Sequence, residues 1–71
     1  MDELKAFLAR NRITQRELGD AIGVTGAFVG MMVNGDASPS LATARALLAF
    51  CRSKEPRMNF DKLFAEKEPA T

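Results

Sequence analysis

Three arginines, Arg10, Arg12 and Arg16, fall within seven residues that contain no acid. A guanidinium is always charged and offers five N–H donors in a planar fork, so a cluster of them suits phosphate oxygens. The same trio also reads as an ordinary solvated basic surface. The net charge of +1 does not decide between the two. Its distribution is more informative: residues 1–54 carry seven bases and five acids (+2), whereas residues 55–71 carry three bases and four acids (−1). Groups for catalysis are scarce. The absence of histidine removes His-dependent acid–base and nucleophilic chemistry. The single cysteine, Cys51, forms neither an internal disulfide nor a zinc site by itself, and reads as a buried small apolar residue. Acids such as Glu66 and Glu68 read as solvated. A binding protein is therefore expected and not an enzyme, with no metal, no cofactor and no small-molecule substrate.

Seventy-one residues close one small core at most, and 46% apolar with 27% charged residues is ordinary for a globular chain. No apolar run approaches the roughly 20 residues that span a bilayer, so no membrane partner is expected. The opening Met1-Asp2-Glu3 is acidic and unlike a secretory signal. A soluble intracellular protein, partly reliant on a second subunit for stability, is the default.

The elements that must carry the arginines all read as helices. Leu4, Phe7 and Leu8 at i, i+3, i+4 predict a helix over 2–11. Thr14 followed three residues later by Glu17 has capping-box spacing, and Gly23 is a stop, giving a second helix over 15–22 with a stripe of Leu18, Ala21 and Ile22. Thr25 caps a third over 26–33, with Val29, Met32 and Val33 inward and Asn34-Gly35 as its end. Gly26 and Gly30 each cost a helix roughly 1 kcal/mol, so close approach of a backbone or a ligand is expected there. Ser38 or Ser40 caps a fourth over 40–52, where Leu41, Ala44, Leu47, Leu48 and Cys51 keep helical spacing. A turn around Pro56 leads to a short fifth helix over 59–65, and 66–71 is a frayed polar tail beyond a single 1–65 domain. The predicted fold class is all-α, with five helices.

Two short helices joined by a tight glycine-containing turn form a helix-turn-helix. In that unit the second helix enters the major groove and the first presents its N-terminus to phosphate. The small residues Gly26, Ala27 and Gly30 on an outward face would let the helix lie deep in a groove roughly 12 Å wide.

The run from Thr14 to Thr25, followed by Val29 and Asn34-Gly35, resembles the helix-turn-helix of the lambda repressor and Cro superfamily, also called the xenobiotic-response-element family. The Pro39-Ser40-Leu41-x-Thr43 start of the fourth helix is also similar to family members. The resemblance covers residues 1 to about 52 and, loosely, 59–64. It implies a lambda-repressor-like DNA-binding domain and carries roles residue by residue. Gln15 matches the glutamine that touches phosphate and braces the recognition helix. Thr25, Gly26, Ala27, Gly30 and Met31 match positions that face DNA. Asn34 matches a phosphate contact, Ser38 and Ser40 lie in a loop that meets the backbone, and Arg10, Arg12 and Arg16 surround the same edge. The third helix departs from the family in lacking a long polar side chain, so base reading would rest on Thr25, on Ala27 and Met31 against thymine methyls, and on DNA shape.

The remaining aromatic residues have more than one reading each. Phe28 is an edge of the core, a contact to DNA sugar or thymine methyl, or a contact to a protein partner. Phe50 falls off the inward stripe, and an exposed ring there suggests a subunit interface. Phe60, Leu63 and Phe64 either seal the core or, with Phe50, form a dimer surface. The resemblance implies a small Cro-like phage or bacterial transcriptional repressor, cytoplasmic and associated with the nucleoid. It would occupy a pseudo-palindromic double-stranded DNA operator as a homodimer. The competing expectation is a protein-interaction module on the same fold, such as an antitoxin or adaptor.

Overall fold

The computed structural model describes residues 1–64. The expected frayed tail over 66–71 and the Ala65 boundary lie outside the described residues. Five helices follow in order: α1 Asp2–Asn11, α2 Gln15–Ile22, α3 Gly26–Asn34, α4 Leu41–Lys54 and α5 Phe60–Leu63. Their ends follow from local chemistry. The Thr14, Thr25, Ser40 and Asn59 side chains each accept a backbone N–H three residues on, capping α2, α3, α4 and α5. Gly23 and Gly35 close α2 and α3 in the left-handed conformation, both at φ 82°. Arg12 does the same for α1 at φ 54°, a conformation that disfavours a side chain, and it lets Ile13 N–H donate to Leu8 O at 2.9 Å.

The core gathers one stripe from every helix: Leu4 and Phe7 of α1, Leu18 of α2, Val29 and Met32 of α3, Leu47 and Cys51 of α4, and Leu63 of α5. α2 packs chiefly on α3 and also on α4, while α1 meets α3 and α5. Met58, in the stretch read as a turn, is a buried member of this core. Burial pushes the Cys51 thiol up to about 11, so it stays neutral and packs as an apolar side chain.

Three expected placements change. Ala21 is exposed, and the buried side of α2 is Leu18, Gly19 and Ile22. Ala21 lies about 100° around the helix from Ile22 and falls outside that sector. Leu41 is 64% exposed because contact of α4 with the core begins at Ala44. Phe50 is half-buried: its ring meets Phe7 edge-on, with centroids 6.4 Å apart, and packs against the chain's own core. The exposed ring expected at position 50 is therefore corrected to a half-buried one.

Arg10 has a structural role. Its Nη2 lies 2.8 Å from Glu3 Oε2 and 2.8 Å from Glu55 Oε1, and its Nε donates to Glu55 Oε2 at 3.1 Å. Asn11 Nδ2 donates to the same Glu55 Oε2 at 2.8 Å. The cluster ties α1 to the end of α4. The Arg10 guanidinium, then the Asn11 amide, hold the Glu55 carboxyl below its ordinary value. A depressed folded-state value means that the ionised form stabilises the fold above the ordinary carboxylate range, and that this contribution is lost as pH falls through the depressed value. Thermal melts of Glu55→Gln and the parent chain should differ at pH 7 and converge in acid. Equal melting temperatures at pH 7 would show that the tie contributes nothing.

Candidate nucleic-acid interface

The candidate interface is built on the close approach of α2 and α3. Thr14 and Glu17 form both arms of the capping box: Glu17 N–H donates to Thr14 Oγ1 at 3.0 Å, and Thr14 N–H donates to Glu17 Oε1 at 3.1 Å. At α3, Phe28 N–H donates to Thr25 Oγ1 at 3.0 Å. The other first-turn N–H groups of each helix have no intrahelical acceptor, which makes the ends electropositive. The turn between the helices is fixed by Gly19, whose carbonyl accepts from Gly23 N–H at 2.8 Å and Val24 N–H at 2.9 Å. A Cβ at position 19 would lie 2.6 Å from Val24 O and 2.9 Å from the Thr25 carbonyl carbon. Gly19 is thus the contact point of α2 with the turn. Its place inside the Thr14–Thr25 run does not by itself reveal this contact.

The glycines of α3 face α2 and not the outside. A Cβ at Gly26 would stand 3.1 Å from Arg16 Cα, and one at Gly30 2.9 Å from Gln15 Oε1. The expected outward face of Gly26, Ala27 and Gly30 is therefore corrected. Gly26 and Gly30, both half-buried, are the floor on which the start of α2 rests, and Gln15 lies across Gly30. The helix-weakening glycines are explained by this approach. The exposed stripe beside them is Ala27 and Met31, one turn apart, flanked by exposed Thr25 and Asn34.

Phe28 is half-buried and packs against the core. With Val24 and Thr25 it lines an open depression whose opposite side is Ser38, Ser40 and Thr43. Ser40 Oγ caps α4 by accepting Thr43 N–H at 3.2 Å and lies 3.1 Å from Thr43 Oγ1. Thr43, which the sequence marks only as part of the helix start, lines the depression too, and Ser40-x-x-Thr43 has the spacing of a cap pair. Arg12 and Arg16 are exposed and have no ion pair among the described residues, whereas Arg10 is committed to two carboxylates. Within the expected trio, Arg12 and Arg16 are the two whose charge no described carboxylate pairs. The structure brings Gln15 and Arg16 against α3, and Thr25 and Phe28 beside Ser38 and Ser40. Phe60, 48% exposed, and half-buried Phe64 stack on each other at 4.5 Å, on α5 and at its end.

A helix-turn-helix family profile matches residues 4–57, which contain this whole assembly. The chain belongs to that helix-turn-helix family, the one that includes the lambda repressor and Cro. It is a family of DNA-binding domains and not of enzymes, and its fold is all-α like the one described here. No curated protein and no solved structure gives a significant match.

Proposed function

We propose that the chain is a sequence-specific transcriptional repressor that covers a pseudo-palindromic operator as a homodimer, in the manner of small Cro-type regulators. Membership of a DNA-binding family supplies the general activity. The observation that carries the finer reading is the exposed Ala27–Met31 stripe of α3. It is bordered by Thr25 and Asn34 and braced from behind by Gln15 lying on Gly30. α3 carries no charged residue, so its base contacts are van der Waals contacts to thymine methyl groups and a hydroxyl contact from Thr25. Shape selection adds to these wherever the duplex must conform to a low-polarity helix.

Arg16, beside Gly26 at the start of α2, and Arg12 just before it anchor the phosphates and set the register of the helix in the groove. The dimer gives two such helices, spaced about 34 Å apart for successive major grooves on one side of B-form DNA. The exposed Phe60 with Phe64 offers an apolar surface for that pairing. Occupancy of the operator excludes polymerase, in the cytoplasm of a bacterial or phage-infected cell.

Arg16→Ala tests the phosphate assignment. It should weaken binding to every duplex roughly tenfold without changing the ranking of sequences, because phosphates carry no sequence information. It should also lower the slope of log affinity against log salt by about 1. Unchanged affinity and slope in a titration series would remove Arg16 from the interface.

A further inference from the structure

The sulfur atoms of the chain are unequally placed. Cys51 and Met32 are 0% exposed and Met58 is 2% exposed, whereas Met31 is 45% exposed. Met1 is half-buried. Cys51 is shielded from peroxide by burial and by the neutrality of its thiol, since the thiolate is the reactive form. Met31 follows Ala27 by one turn on the exposed stripe of α3. Its neighbour Met32 points into the core, so adjacent thioethers differ completely in access.

We infer that Met31 is a peroxide-sensitive modification site in the reading face of α3, and that its conversion to the sulfoxide weakens sequence-specific DNA binding. The inference rests on the proposed docking of α3 in the groove. In the reaction a sulfur lone pair attacks one oxygen of hydrogen peroxide. The S–O bond forms as the O–O bond breaks, the sulfur loses two electrons, and the second oxygen leaves as water after proton transfer. The product replaces an apolar thioether with a strongly polar sulfoxide. A position that contacts thymine methyl groups or fits closely to the groove wall then presents a dipole to a thymine edge that offers only a methyl group and an acceptor oxygen. Bound DNA covers the same atom, so occupied protein is protected and free protein is the reactive form. The sulfoxide is reducible, so the change is reversible.

The test treats the full chain with limited hydrogen peroxide, alone and with a saturating excess of the duplex most enriched from a random pool. Peptide mass mapping should show Met31 oxidised first in the free protein, Met32 and Met58 intact, and Met31 protected in the complex. Treated protein should bind that duplex about tenfold more weakly, within the range of one mismatched base pair. Met31→Leu, whatever its own affinity, should show a treated-to-untreated affinity ratio of one. Equal oxidation of Met31 with and without bound duplex, or unchanged affinity of the sulfoxide form, would overturn the inference while leaving DNA binding intact. Oxidation of Met32 or Met58 ahead of Met31 would overturn it as well. A pool from which no duplex is enriched would overturn the docking itself and the inference with it.

Discussion

Ala27→Asp should abolish DNA binding while the domain stays folded. Ala27 is the second residue of α3 and is exposed. An aspartate in a first turn interacts favourably with the helix dipole, by about 0.3–1 kcal/mol, which offsets most of its lower helix propensity. The melting temperature should therefore move by a few degrees at most. On DNA the same carboxylate would face the groove between two phosphate chains, with no cation on α3 to accept it. Like charges brought together at an interface cost several kcal/mol. Affinity should fall at least about a hundredfold, equivalent to about 2.8 kcal/mol. A titration by mobility shift beside a circular-dichroism melt separates the two effects. A folded Ala27→Asp that binds as the parent does would place the N-terminus of α3 away from DNA, and would favour a protein-partner role for this helix.

Gly19→Val should instead destabilise the fold and weaken binding with it. The first side-chain atom alone would come 2.6 Å from Val24 O, and the obstructing atoms are backbone of the turn that joins α2 to α3. Backbone cannot swing aside as a side-chain tip can. Valine adds two further carbons at the same place, and overpacking costs about 3 kcal/mol. In a domain of this size that is roughly a 15 °C loss in melting temperature. Gly30→Ala is the informative comparison, because the nearest atom to its new Cβ is Gln15 Oε1, the far end of a flexible side chain. It should recover roughly 1 kcal/mol of helix propensity in part and stay folded. A Gly19→Val domain that melts within a few degrees of the parent would mean that the turn can open without loss.

Most helix ends were legible in the sequence because capping is local chemistry; α5 is the exception, running Phe60–Leu63 with Asn59 as its cap and not over 59–65. The bounds of α1 and α2 coincide with 2–11 and 15–22, and Thr14, Glu17, Gly23, Thr25 and Gly35 act as their spacing predicts. α4 begins one residue later than expected and continues to Lys54, since Ser40 is its cap and Arg52 and Lys54 suit its last turn. What the sequence hid depends on which surfaces meet. A stripe of small residues is equally suited to a groove or to another helix, and Gly26 and Gly30 serve the second. Ala21 fits the expected stripe by spacing, but burial of Gly19 turns α2 away from it. Arg10 finds Glu55 across 45 positions, a separation that local pattern does not register, so a residue grouped with phosphate ligands proves to be tied to carboxylates. Phe50 looked unpartnered on its own helix because Phe7, on α1, is the ring that meets it. The family motif is unaffected because it depends on local order, from Thr14 to Gly35, and not on the partners of each face.

Selection of bound duplexes from a random DNA pool, read by sequencing, is the most direct test of sequence-specific dimeric binding. The expected result is a two-fold consensus whose half-sites lie about one helical turn apart, roughly 34 Å. A pool that stays random, with binding that vanishes at moderate salt, would contradict it: such binding is purely electrostatic, and α3 would read no bases.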